Sequence, residues 1–463
     1  MKAKRLTVGP ILGHTSGEFV RIFGRAEYNE EDNQPRRANG AARIRKKSKQ
    51  VSTYSKPIYF KMNPNFDMTG VVIFNNLSPN TIYEYQVGWI YSDVSYSDID
   101  VTEILEWDDI ETFEFRTASS SKTESRNIVL GSCRYALRLF GGTWFDDRGD
   151  KTFRSILERK QQGEVDQLIM CGDQIYADDL NVLGADSAID EFNKRYREVF
   201  SSQHLHNLMA QVPTYMTMDD HEIEDNWPEL ANGKDWVTKF PAAIHAYSTY
   251  QISHSPLFHI KEGRIEGAPT HLWYTYQDGC CDVFVCDTRT ERSLDADMRE
   301  IIGPRQLSEL LKWLDDGSGR VKIIVTSVPP YESESPDKWH GFINQRDELF
   351  EFIRQNKIRK VLFLSGDVHA CMSSKLVLDS HTTIHSIVSS ALFWPYPHPK
   401  RREFKLSGLI QTNTSQNYKV TNASKIYPTD AFAKLAVSPS GVKVDFISRK
   451  NRRLGGKSYS FQG

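Results

Sequence analysis

After residue 127 the chain is built on seven short apolar runs, each cut off abruptly by small or polar residues: NIVLGSC, QLIMCGD, TYMTMDDHE, CDVFVCDTR, VKIIVTSVPP, KVLFLSGDVH and TIHSIVSS. Apolar runs without polar alternation are strands buried on both faces, which implies a mostly parallel sheet covered by helices. The helices stand between them: KTFRSILERKQQ, AIDEFNKRYREVFSS, an amphipathic stretch near 235–254, PRQLSELLKWLDD with Pro304 at a first helical position, and RDELFEFIRQNK. An α/β layered domain is therefore expected. In such folds function gathers beyond the carboxyl ends of the strands. The unusual residues of this chain stand there.

The first 118 residues have another rhythm. GEFVRIFGRAE, PIYFKMN, TGVVIFNN, TIYEYQVGWI and ETFEFRT are rich in Val, Ile, Tyr and Phe, and several alternate. They predict an all-β sandwich of immunoglobulin-like class. The basic stretch RRANGAARIRKKSKQ (36–50) reads either as a phosphate-binding arm or as a solvated loop or hairpin. ASSSKTESR reads as a linker, giving an N-terminal domain over 1–118, a linker over 119–126 and a second domain with the tail over 127–463. The tail SGVKVDFISRKNRRLGGKSYSF reads as a hairpin. Its GGKS lacks the upstream glycine of a phosphate-binding loop, since position 451 is Asn, and neither G-x-S-x-G nor G-x-G-x-x-G occurs.

Charge excludes more than it suggests. Lys plus Arg is 58 and Asp plus Glu is 60, a net charge of -2, so no nucleic-acid partner is expected. No apolar run approaches the roughly 20 residues of a membrane span. The N-terminus has neither an uninterrupted apolar core nor an A-x-A site, so the expected location is the cytoplasm, or the periplasm or exterior if the sequence is a trimmed mature form. The six cysteines form no CxxC and read as free thiols in a reducing compartment. The oligomeric state is open.

The residues closing the strands are Cys133, Asp173 and Tyr176, then Asp219, Asp220 and His221, then Asp287 and Arg289, and last Asp367 and His369. Packed carboxylates repel, so such a set must bind protons or cations. Multivalent metals neutralise it most simply, because carboxylate oxygen and imidazole nitrogen are ordinary ligands. Glycines at 131, 172 and 366 precede the candidates and allow the backbone to turn there.

GSC, GDQIYAD, DDHE followed by NW, DTR..R and SGDVH, in this order, resemble the PhoD-type alkaline phosphatases of the calcineurin-like metallophosphoesterase superfamily. VGPILGHTSGEFVRIFGRA and TIYEYQVG are similar to that family's N-terminal domain. The resemblance implies a metallophosphoesterase-type β-sandwich core flanked by helices, with a dinuclear or multinuclear metal site. Asp173 would bridge the metals, and Cys133, Tyr176 and His369 would complete the site of a ferric ion. Asp367 and Asp220 would hold a second ion, Ca²⁺ in the family; Asn226 is an alternative to Asp220. Zn²⁺, Mn²⁺ and Mg²⁺ stay open.

The implied reaction is hydrolysis of phosphate esters, monoesters and possibly diesters, by hydroxide formed at the metals, with His221 protonating the leaving alkoxide or orienting the phosphate. Arg134, Arg289 and Arg292 are either transition-state clamps or, for the last two, members of an ion-pair network with Asp287 and Glu291. Trp144, Phe145, Trp227, Trp339 and the FWPYPHP loop at 393–399 either rim a cleft or cap the sheet. A phosphodiesterase acting on lipid or cell-wall polymer is the enzymatic alternative, and a binding protein retaining the fold is the alternative of another class. One departure stands out: the family is generally exported by a twin-arginine signal, which this N-terminus lacks.

Overall fold

The computed structural model describes the chain except residues 28–29, 32–33, 36, 49–51, 93, 101–103, 137, 140–143, 146, 180–184, 262–263, 332–334 and 462–463. The side chains of Trp144 and Phe145 also lie outside the described residues.

The N-terminal strands are β1 (Val8–Thr15), β2 (Val20–Arg25), β3 (Arg37–Lys46), β4 (Ile58–Lys61), β5 (Thr69–Phe74), β6 (Ile82–Ser92) and β7 (Phe113–Arg116). They form two antiparallel sheets, ordered β1-β2-β5 and β4-β3-β6-β7. Leu12, Ile22 and Val72 of one sheet share a core with Ala42, Phe60, Tyr85 and Phe115 of the other.

Strand β3 refines the reading of the basic stretch: of the readings open for it, the hairpin is the one that fits, since β3 pairs antiparallel with β4. It runs between β4 and β6, and the small or apolar Ala38, Ala41, Ala42 and Ile44 are buried. Three cations of this stretch are engaged within the N-terminal sheets. Arg43 donates to Gln86 and lies against the Tyr54 and Trp107 rings, while Arg45 pairs with Glu84 and the following Lys47 with Glu114. The cluster of basic letters hid a strand whose inward residues are too small to register as an apolar run.

The strands of the two large sheets that follow are β8 (Arg126–Gly131), β9 (Gln167–Cys171), β10 (Thr214–Thr217), β11 (Tyr274–Asp278), β12 (Cys281–Val285), β13 (Val321–Val325), β14 (Val361–Ser365), β15 (Met372–Val377), β16 (Thr383–Val388), β17 (Gly408–Leu409), β18 (Lys419–Thr421), β19 (Ala431–Ser438), β20 (Gly441–Ser448) and β21 (Arg453–Ser460). The helices that cover them are α1 (Asp150–Gln161), α2 (Ile189–Phe200), α3 (Gln203–Met209), α4 (Lys239–Tyr247), α5 (Pro304–Leu314) and α6 (Ile343–Gln355). A single π turn, Ser248–Ile252, continues α4.

Two sheets result, ordered β10-β9-β8-β19-β20-β21 and β11-β12-β13-β14-β16-β15-β18-β17. The tail hairpin expected from sequence is β20–β21. Strands β8, β9 and β10 are parallel, as are β12, β13, β14 and β16. Val283 and Val285 of β12 belong to the core shared with Leu130 and Ile169 of the first sheet. Phe284 between them packs instead with Leu310 of α5 and Phe350 of α6. The period-two alternation of a strand thus assigns one face to the sheet partner and the other to helices. Both faces being apolar, the runs show no polar alternation, and all the parallel strands end toward one edge, where function is expected.

Candidate metal centre

The turns after β8, β9, β10 and β14 bring the predicted residues together. Five of them adopt left-handed backbone: Cys133 at φ 55°, Asp173 at 56°, Asn226 at 55°, Asp367 at 69° and His369 at 50°. Such conformations cost about 1–3 kcal/mol each in non-glycine residues, and their concentration at one edge marks a site that the surrounding fold holds in place. Of the preceding glycines, Gly172 has φ 103° and makes the turn that was expected. Gly131 and Gly366 serve close approach instead: a Cβ would collide with Leu392 at the first and with Ser132 Oγ at the second.

Two groups of potential ligand atoms lie within 4.8 Å of one another: Asp173, Asp220 and His221, and Asp219, Asp220 and Asp367. Asp220 is common to both. Cys133 Sγ and Tyr176 Oη each lie 3.3 Å from Asp173 Oδ2, so thiol and phenol converge on one carboxylate oxygen. His369 stacks on Trp394 with ring centroids 4.0 Å apart, near enough to His221 and Asp220 for their charges to act on it. Asn226 donates its backbone N–H to Asp220 Oδ2 at 2.7 Å. The two candidates for one ligand position are therefore bonded to each other.

The electrostatics of this cluster fit a cation. Asp173 Oδ1, Asp219 Oδ2 and Asp220 Oδ1 are buried and have no hydrogen-bond partner among the described residues. Burial raises the Asp173 carboxyl well above its ordinary range, with the charges of Asp219 and Asp220 adding to it. The Cys133 thiol is raised by burial and by Asp173 and Asp367, so its thiolate needs a nearby positive charge. The Tyr176 phenol is likewise raised by burial and then by Asp173. Burial pushes His369 down to about 3, with His221 and His398 reinforcing it, which leaves the neutral imidazole that ligation requires.

His221 goes the other way. Burial opposes its charge, but Asp220, Asp173 and Asp178 outweigh it and hold the imidazolium well above the ordinary value. Its Nδ1 is tied to Asp178 Oδ2 at 2.9 Å, which orients the ring and leaves Nε2 as the other polar atom, 3.8 Å from Asp225 Oδ1.

The arginines do not act as the clamp reading expects. Arg134 directs its guanidinium away from the carboxylates, donating to Val199 O at 2.8 Å and Ser202 Oγ at 2.6 Å. Arg289 has no exposed surface, and its donors are spent on Asp219 at 2.6 Å, on Trp227 O at 3.1 Å and on both oxygens of Asp337 at 2.8 and 2.9 Å. Arg292 bonds Thr288 O and pairs with Asp337. The ion-pair reading holds, with changed partners. Asp287 accepts the backbone N–H groups of Arg289 and Thr290, forming a local turn. Replacing Arg289 with Met is expected to destabilise the fold by about 3–5 kcal/mol, because it leaves buried Asp219 without its cation and takes one of three cations from Asp337. Denaturant unfolding measures this; lost activity at unchanged stability would restore the clamp.

Three residues acquire roles that sequence reading had not given them. Glu222, the last letter of DDHE, is buried, and its carboxylate gathers the strand ends. Oε2 accepts the N–H groups of Asp173 at 2.9 Å and Asp219 at 2.8 Å, and Oε1 accepts those of Gln174 at 2.7 Å and the Gln251 amide at 3.1 Å. Asp178 orients His221. Lys338, preceded by Asp337 in SPDKWH, places its ammonium against Asp367 and 3.2 Å from Asp337. A buried Asp-Lys pair beside Trp339 was the available signal. Trp339 itself is core, bonded to Thr326, and Trp227 stacks on Phe240. The 393–399 loop caps the site: Phe393 pairs with the backbone of Cys133 and Tyr135, while Tyr396 is 41% exposed beside Trp394.

Sheets joined face to face, helices outside, and a buried multi-carboxylate centre at the strand ends define a layered α/β class with a candidate metal site at its strand ends. The PhoD-like phosphatase family model matches residues 139–436, and the chain belongs to that family. Alkaline phosphatase D of Bacillus subtilis (strain 168) is 26% identical over 234 residues, 43% of this chain and 38% of that protein. The match thus spans well under half of the curated relative. A solved structure of PhoD superimposes with TM-score 0.73 over 99% of this chain and 89% of its own, at 16% identity. Purple acid phosphatase PPD1 from yellow lupin (Lupinus luteus) seeds does so with TM-score 0.59 over 97% and 74%, at 12% identity. These two likenesses are of fold. No helix among the described residues is long and apolar enough to cross a membrane.

Proposed function

We propose that the protein hydrolyses phosphate esters, monoesters foremost, at a dinuclear metal site. The observation that carries this reading is the convergence of buried carboxylate oxygens without hydrogen-bond partners among the described residues with a thiol, a phenol and two imidazoles at the ends of parallel strands. Cys133, Tyr176, Asp173 and His369 would hold one ion, of ferric type given the anionic sulfur and phenol donors. Asp367, with Asp220 or Asn226, would hold a second, oxygen-preferring ion such as Ca²⁺. Bound cations would supply neutralisation of the phosphoryl oxygens and acidification of water.

The chain's own residues do the rest. His221, oriented through Nδ1 by Asp178, would deliver an Nε2 proton to the departing alkoxide. Trp394 and Tyr396 form an aromatic wall beside His369, against which a leaving group would rest. Glu222 fixes the backbone of Asp173 and Asp219, so the carboxylates are pre-positioned. In this reading the N-terminal sheets form an immunoglobulin-like domain joined to the catalytic domain through residues 119–126.

Protein purified without chelator is expected to contain iron and a second metal, to hydrolyse p-nitrophenyl phosphate, and to show a visible phenolate-to-iron absorption band. Tyr176→Phe should abolish the band. A Tyr176→Phe protein that kept both band and iron content would show that the ligand set is wrong.

A further inference from the structure

We infer that Asp67, in the N-terminal part of the chain, is a positioning residue for the metal centre; the inference deepens the reading above and rests on it for its catalytic consequence. Asp67 follows the short Pro64–Phe66 turn between β4 and β5 and has φ 50°. Its side chain is 13% exposed. Oδ1 accepts from Arg25 of β2 at 3.0 Å, and Oδ2 accepts from Arg197 of α2 at 2.5 Å and from the Tyr250 hydroxyl. Against the effect of burial, Arg25, Tyr250 and Arg197 hold this carboxyl below its ordinary range, so it is charged at neutral pH.

The two outer partners are each one residue away from the support of Glu222. Arg197 follows Tyr196 on α2, and Tyr250 precedes Gln251 in the π turn. The Tyr196 and Tyr250 rings are stacked with centroids 5.1 Å apart and planes 11° apart. Gln251 Nε2 donates at 3.1 Å both to Tyr196 Oη and to Glu222 Oε1. Glu222 in turn accepts the N–H groups of Asp173, Gln174 and Asp219. One carboxylate therefore grips both elements, α2 and the π turn, whose adjacent side chains meet at the residue that orders the ligand loops. Single π turns recur at functional sites because they displace side chains from the regular helical register. Residues acting on ligands from outside the ligand set commonly change metal affinity or activity by about 10- to 100-fold.

The test is amide hydrogen exchange on the full-length, metal-free protein, which needs no assumption about the ion or the reaction. Asp67→Asn removes the charge and keeps a side chain that tolerates left-handed backbone. Tyr250→Phe removes only a hydroxyl, in case the first variant folds poorly. Tyr85→Phe is the control: it removes a hydrogen bond of 2.6 Å from β6 to Ala210 O, outside this network. Exchange across 172–175 and 217–222 is expected to quicken about tenfold in Asp67→Asn and measurably in Tyr250→Phe, and to stay at the wild-type rate in Tyr85→Phe. In metal-loaded protein kcat should fall by a similar factor with KM unchanged.

Quickening confined to 62–70, 194–200 and 246–253, or matched by Tyr85→Phe, would overturn the inference. If the wild type neither holds metal nor hydrolyses p-nitrophenyl phosphate, the functional reading fails, while the exchange pattern still decides whether Asp67 orders these loops.

Discussion

Replacing Asp173 with Asn should abolish p-nitrophenyl phosphate hydrolysis, lowering kcat by at least about a thousandfold, while leaving the metal-free protein as stable as the wild type or more so. The loss follows from the several kcal/mol of charge stabilisation that a metal site gives a phosphoryl transition state, since each 1.36 kcal/mol is tenfold in rate. The retained stability follows from the same carboxylate. Asp173 Oδ1 is buried with no hydrogen-bond partner among the described residues, and burial with Asp219 and Asp220 lifts its carboxyl well above the ordinary range. Without a cation the native charge is a burden, and Asn removes it while keeping shape and tolerance of φ 56°. Thermal unfolding with and without chelator, together with steady-state rates, measures both halves. Retention of more than a few percent of wild-type kcat, or a large fall in metal-free stability, would remove Asp173 from the centre of the site.

Glu222→Gln should be the more damaging substitution for the fold, although it changes one atom. The carboxylate presents two acceptors, one facing the N–H groups of Asp173 and Asp219 and the other facing Gln174 and the Gln251 amide. A carboxamide must turn its NH₂ toward one of these pairs and oppose donors with a donor. Each buried donor left unmade costs about 1–3 kcal/mol, so a destabilisation of roughly 2–5 kcal/mol is expected, with activity largely lost as the ligand loops relax. Burial raises the Glu222 carboxyl to about 7 even with these donors favouring its charged form, so the arrangement has little to spare. Denaturant midpoints for the two variants give the comparison. A Glu222→Gln protein as stable as wild type would mean that the hydrogen bonds to Glu222 are not what holds the loops.

The parts of the fold legible in the sequence were those with a periodic signature. The buried parallel strands, α1, α2, α5 and α6 and the tail hairpin all appear where apolar runs and amphipathic patterns place them. Strand β3 was missed because Ala and Gly carry its inward face between Arg and Lys, so composition masked periodicity. The site was legible as a set of residue types at strand ends, and the structure places Cys133, Tyr176 and Asp220 around Asp173. The choice for Arg134 and Arg289 between clamp and structural role could not be read from sequence, for a physical reason. A guanidinium near a carboxylate-rich motif suits phosphate and carboxylate equally, and only packing shows that Arg289 is already saturated by Asp219 and Asp337.

By itself the sequence determined that buried strands end in a crowd of carboxylates, imidazoles, a thiol and a phenol, because the hydrophobic pattern sets which residues lie inside and where each strand must stop. Only the tertiary structure decided who answers whom: that Glu222 collects four N–H groups, that Lys338 faces Asp367, and that Asp67 reaches α2 and the π turn across about 130 and 180 positions of chain. Hydrogen bonds and ion pairs act over a few ångströms whatever the sequence separation, so partners so distant along the chain leave no local pattern to read.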